Sequence, residues 1–202
     1  MNIHAVIDTN IIISALLTSN LSSPTKSVIN KVRDGGIIPM INSDIMEEYR
    51  DVLSRRKFHF SDTDISDTLN LFKMRGEDYT PECLRKVFID ANDITFYETF
   101  LMREDAYLIT GNLKHFPAES RILSPADMMH IVHLTDSLQK DLLNEPRVEY
   151  ISEISKAKLQ RAWEAIERMR ASAIANGIAD MPMEEIDEEI RQYREERRAR
   201  RF

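Results

Sequence analysis

The sequence holds a single cysteine, Cys83, so no disulfide can form within the chain. No apolar stretch approaches the ~18–20 residues that a membrane-spanning helix requires. No basic segment precedes the first apolar run, so the reading expects no secretory signal and a cytoplasmic protein. An excess of positive charge is missing too: the formal net charge is −7. That balance argues against a protein that holds nucleic acid mainly through bulk positive potential. It leaves open an enzyme that meets a phosphodiester through metal ions, because such a site needs an acidic cluster. No internal repeat or long low-complexity segment is present. What the chain does have is length and apolar content, 202 residues with 43% hydrophobic, which suits one domain of ordinary size or a domain with an appendage.

Apolar runs alternate with helical patterns over the first two thirds. "IHAVI" (3–7) reads as a strand buried on both faces, and "NIIISALLT" (10–18) as a helix. A helix between Pro24 and Gly35-Gly36 follows, then "IIPMI" (37–41), in which Pro39 argues for a short or edge strand. Ser43 is expected to cap "DIMEEYRDVLS", with Ile45, Tyr49, Val52 and Leu53 on its apolar face. A capped helix at 61–76, a strand at "LRKVFI" (84–89), a helix at 92–105, strands at 106–110 and 121–123, and a helix at 124–134 complete the series. Alternating strands and helices predict an α/β fold, with a parallel sheet covered on both faces.

Sites on such sheets lie outside the carboxyl ends of the strands. Asp8 ends the first strand, Asp93 opens the helix after "VFI", and Asn112 follows "AYLIT"; Glu48, in the helix after the second strand, can reach the same crevice. Carboxylates gathered in this way repel one another and resist desolvation. A divalent cation removes that cost, and Mg²⁺ or Mn²⁺ suits oxygen donors. Thr9 and Asn10 are placed to orient the carboxylates. Each residue also has a plainer reading. Asp8 and Asp93 can serve as helix caps, and Thr110 and Asn112 as turn formers beside Gly111. The basic cluster Arg55, Arg56, Lys57 can meet RNA phosphates or can simply be a solvated helix end.

Taken in order, "IDTNIIISALL", "INSDIMEEYRDVLSRRKF", "FIDANDITFYETFLMREDAYLITGN" and "LKHFP" resemble the motifs of PIN-domain nucleases. The likeness is greatest to those assigned as toxin components of bacterial toxin–antitoxin systems, and it covers residues 1–134. It implies a three-layer α/β/α fold with strand order near 3-2-1-4-5, one or two Mg²⁺ or Mn²⁺ ions, and hydrolysis of RNA phosphodiesters. The family's first three acids fall on Asp8, Glu48 and Asp93. Its fourth, often in a "TGD" motif, falls on Asn112, which can offer an amide oxygen but no charge. Two other outcomes stay open: a PIN fold that binds or scaffolds with little or no catalysis, and a nuclease that cuts DNA.

Residues 135–202 form a different region. A linker is expected at 140–150, then an amphipathic helix at 152–177 with Ile154, Trp163, Ile166, Met169 and Ala173 at helical spacing. A last helix begins at Asp180 and Pro182. This region resembles the C-terminal part of the small antitoxins encoded beside such toxins. Met183, Ile186, Ile190 and Tyr193 form a stripe running on to Arg197 and then Arg200 or Arg201. An arginine brought among acids can pair with them bidentately and displace a metal. The tail is therefore expected to act as an antidote in cis, on its own site or by swapping onto a second copy. Dimerisation, docking and RNA binding are its alternatives.

Overall fold

The computed structural model describes residues 2–80, 94–142 and 152–200. Among these, five strands form one wholly parallel sheet in the order β3-β2-β1-β4-β5. β1 (Ile3–Ile7) lies at the centre, between β2 (Ile37–Ile41) and β4 (Tyr107–Ile109). The short strands β3 (Glu77–Asp78) and β5 (Ile122–Leu123) form the edges. β1 is apolar nearly throughout because helices cover both faces, and a strand so placed shows no alternation. The result is the expected three-layer α/β fold. The chain builds outward from β1 to β3 and then returns to the far side of β1. A crevice therefore opens where β1 meets β4, at the carboxyl ends of both.

The expected strand at 84–89 lies outside the described residues; the third strand seen here is Glu77–Asp78. Pro39 does not mark an edge, since β2 has a neighbour on each side. The proline is tolerated because β3 begins only opposite Met40, so no strand on that side requires the missing N–H. Gly76 permits this close pairing: a Cβ there would lie 2.5 Å from the Phe72 carbonyl oxygen and 2.8 Å from that of Pro39.

The helices are α1 (Thr9–Leu17), α2 (Pro24–Arg33), α3 (Ser43–Leu53), α4 (Asp62–Arg75), α5 (Ile94–Leu101), α6 (Pro125–Leu142), α7 (Glu153–Ala175) and α8 (Met183–Arg200). The cap of α3 is Asn42, one residue before the expected Ser43; its side chain accepts from the Ile45 amide at 2.9 Å. α6 continues well past residue 134 into the expected linker, most of which lies outside the described residues. None of these helices is long and apolar enough to cross a membrane.

α7 packs along α4 and α1, burying Ala162, Ala165, Ile166, Met169 and Ala173. Ile154, expected on that face, is instead 71% exposed in the first turn of α7. Trp163 is half-buried, with the Arg33 guanidinium 4.1 Å above its ring. Gly177, at a left-handed φ of 69°, ends α7. The turn beyond it is pinned to the end of α1: the Asp180 amide donates to the Leu17 carbonyl at 2.9 Å, and the Asp180 carboxylate accepts from the Ser19 amide at 2.8 Å. α8 then crosses α1 and α3 over the crevice.

Candidate active site

Asp8 follows β1 and is 3% exposed. Its amide continues the sheet by donating to Ile109 at 2.9 Å. Although it stands at the N-cap position of α1, its side chain makes no capping bond. The carboxylate turns into the crevice, where Oδ2 accepts from the Thr110 hydroxyl at 2.7 Å. Thr110 is fully buried after β4, and its oxygen also accepts from the Asn112 amide at 3.0 Å. Glu48 enters from α3 and is likewise buried; its Oε1 accepts from the Thr9 hydroxyl at 2.6 Å. The two threonines thus hold the two carboxylates. The next residue, Tyr49, donates to the Ile7 carbonyl and ties α3 to the end of β1. Burial, reinforced by Asp8 and Glu48, pushes its phenol well above the usual range.

Arg194 of α8 supplies the countercharge. Its Nη2 donates to Glu48 Oε1 at 2.7 Å and lies 3.9 Å from Asp8 Oδ1, while Nε is 3.2 Å from both oxygens of Glu48. Burial raises the Asp8 carboxyl above its ordinary value, and Arg194 and the Thr110 hydroxyl oppose that rise. The Arg194 guanidinium also stands 5.6 Å from the Phe96 ring centre. Beside this pair is a cavity of about 190 Å³ whose lining includes Asp8, Asn10, Asn112, His115, Asp187 and Arg194. Asp187, also from α8, accepts from the Asn10 side chain at 3.0 Å and from that of Asn112 at 3.5 Å. Asn10 in turn accepts from the Gly111 amide at 3.1 Å, and the Asn112 side chain contacts His115 at 2.8 Å.

A family model described as PIN domain matches residues 4–114. The chain belongs to the PIN-domain family. PIN domains are in general nucleases, so membership places this chain in a superfamily of phosphodiester hydrolases. Comparison with curated proteins and with solved structures gives no match.

Of the residues expected at a PIN site, the structure brings Asp8, Glu48, Thr9, Asn10, Thr110 and Asn112 to one crevice. Asp93 lies outside the described residues, among which no group of three carboxylates, histidines or cysteines is set to hold a metal ion. The tail arginine in the crevice is Arg194, not one of those expected from the stripe. Arg197 pairs with Glu47 and, at 3.3 Å, with Asp44 on the outer turns of α3. Arg200 lines a separate groove with Arg55 and Tyr193. Arg201 lies outside the described residues. Helical spacing explains the difference. Ile186, Ile190 and Tyr193 are buried, which sends Asp187 and Arg194, seven apart and on one flank of that stripe, toward the acids. Arg197, in line with the stripe, meets Glu47 and Asp44 instead.

Proposed function

We propose that this PIN protein is a metal-dependent endoribonuclease of the toxin–antitoxin kind, held inactive by its own last helix. The observation that carries the reading is Arg194, one guanidinium donating to Glu48 and facing Asp8. A cation fits this crevice by its donor chemistry: two buried carboxylates present hard oxygens toward a position now filled by positive charge. Asp8 and Glu48 would hold Mg²⁺ or Mn²⁺, with the Asn112 amide oxygen and, by resemblance to the family, Asp93. When bound, the ion would supply a water of lowered pKa and shield the phosphodiester.

The chain's own residues do the rest. Thr9 and Thr110 each occupy one acceptor site on a carboxylate and so fix where its remaining lone pairs point. Tyr49 keeps the end of β1 and α3 at fixed separation. Asn10 joins α1 to the Gly111 turn. α8 excludes substrate while Arg194 is in place. RNA as substrate puts the action in the cytoplasm, and a separate antitoxin chain is then dispensable.

Mn²⁺ titration tests the reading. Arg194→Ala should raise the melting temperature gained from Mn²⁺ and release cleavage of single-stranded RNA, and Asp8→Asn should abolish both. Failure of Mn²⁺ to bind either the wild type or Arg194→Ala overturns the enzymatic reading. The second reading, a PIN fold that binds without cleaving, draws its support from Asn112 in place of a fourth acid; metal binding without cleavage of RNA or DNA would favour it. Concentration-independent sedimentation would exclude exchange of the tail between two copies.

A further inference from the structure

α8 covers more than the acids. On the flank opposite Arg194 it carries Glu185, Glu189, Gln192 and Glu196, at spacings of four, three and four residues along one side of the helix. These meet a basic ledge after α3. Arg55 Nε pairs with Glu189 at 2.8 Å, and its two Nη atoms reach Gln192 at 3.4 Å and Glu196 at 3.5 Å. Lys57 Nζ pairs with Glu185 at 2.7 Å and Glu189 at 3.0 Å. A groove of about 480 Å³ runs along this contact, with Arg56 and Arg200 also on its wall. The Arg55 side chain is only 19% exposed, and hydrogen bonding to Glu185 holds the Lys57 ammonium above its ordinary range.

In a chain of net charge −7, two cations fixed side by side need an anionic partner. α8 supplies negative oxygens on Glu185, Glu189 and Glu196, about 6 and about 10 Å apart along the axis at ~1.5 Å per residue, with the neutral Gln192 between the last two, and so offers a line of anionic groups as a strand does with its phosphates. The same helix occupies the neighbouring acid crevice. We propose that Arg55 and Lys57 form the track that holds the phosphodiester backbone of a single strand as it enters the crevice, and that α8 is a mimic of that backbone. The proposal rests on reading the crevice as a phosphodiester site. It adds which residues grip the substrate and why the tail shuts off binding as well as chemistry. Arginine and lysine on phosphate oxygens position a strand without reading its sequence, so RNA and DNA share the chemistry involved.

The test uses the full chain in EDTA, where cleavage does not intrude. Ile186→Asp/Ile190→Asp removes the buried anchors of α8 without touching the ledge, and hydrogen exchange reports its release. Labelled twelve-residue RNA and DNA single strands should bind this variant at least tenfold more tightly than wild type. Adding Arg55→Ala/Lys57→Ala should remove that gain and lower the salt slope of binding by about 1.4, at roughly 0.7 per phosphate contact on a single strand. Binding of both strands alike supports a track for phosphates. Binding of RNA alone also supports it and adds contact with the 2′-hydroxyl. A gain that persists without Arg55 and Lys57, or no gain once α8 is released, overturns the track.

If the anchor variant fails to fold, the wild type decides. Saturating oligonucleotide should speed exchange in α8 but not α7, and only with Arg55 and Lys57 present; unchanged exchange overturns the proposal. A Mn²⁺ arm separates the two readings. Cleavage indifferent to Arg55 and Lys57 overturns the track and leaves the nuclease, whereas ledge-dependent binding without cleavage does the reverse.

Discussion

α7 and α8 belong to the same tail but attach by different physics. α7 buries a run of alanine, isoleucine and methionine against α4 and α1, and its polar crossings are fewer than those of α8: Arg168 to Asp64, the buried Arg170 to the Ala15 carbonyl and Ser172 to the His59 carbonyl. α8 buries only Ile186, Ile190 and Tyr193 as apolar anchors. Most of what else it offers the domain is charge: Glu185 and Glu189 to Lys57, Glu189 and Glu196 to Arg55, Arg194 to Glu48, Arg197 to Asp44 and Glu47. Apolar burial is not weakened by charge screening, whereas exposed ion pairs are. The tail thus joins a helix held mainly by apolar burial to one held largely by charge.

The largest blow to this contrast comes from α7. Ile166→Ala should cost about 2–5 kcal/mol of global stability, visible as a fall of several degrees in Tm with the single cooperative transition retained. Arg194→Ala comes next. Buried carboxylates stripped of a partner are destabilised by about 3–5 kcal/mol. α8 can escape by detaching, so calorimetry should show a smaller loss, removed by Mn²⁺. A Tm loss as large as that of Ile166→Ala, unrelieved by Mn²⁺, would mean that the two helices dock as one unit.

Salt should act more weakly. Between about 0.1 and 1 M NaCl the Debye length shrinks from about 10 to 3 Å, and amide exchange should quicken in α8 with α7 unchanged. Acid gives a smaller effect still. Hydrogen bonds from the Ser19 hydroxyl and amide hold the Asp180 carboxyl below its ordinary value. A carboxyl lowered by folding contributes stability above its unfolded pKa of 3.8 and loses it as pH falls through the folded value. Protection of the α7–α8 turn should therefore drop only below about pH 4, and Asp180→Asn should remove that pH dependence. Smallest is Gly111→Ala. Its Cβ would press on the flexible end of Met183, at 2.8 Å. Stability should move by no more than about 0.5 kcal/mol.

The sequence made the domain more legible than its cover. A strand that is apolar on both faces, ended by Asp8, already announces a parallel sheet with a polar edge. The order of the motifs then identifies the PIN family, and Glu48 follows from its place before Tyr49 in α3. Pro39 misled because a proline speaks only for its own N–H, and the short reach of β3 is set by tertiary packing. Arg194 was hidden by its neighbours. The terminal run of arginines drew attention to Arg197, Arg200 and Arg201, but a helix lying across two sites sorts side chains by angle, not by local density of charge. The pairing of Asp187 with Arg194 seven residues on was the available signal. The grouping of Arg55 and Lys57 was visible, whereas the glutamates facing them become meaningful only once α8 is laid across α3.

The turn that pins Asp180 to Leu17 and Ser19 has a consequence for dosage. A toxin and antidote made as two chains can fall out of proportion when one is degraded faster. On the function proposed above, α8 is a blocker that follows directly from a helix packed into the core, so each ribosome would deliver one blocker with every site it makes. On that proposal the ratio would be set at translation and would not drift, and control would pass from how much antidote survives to what can lift α8 away from a domain to which it remains tied.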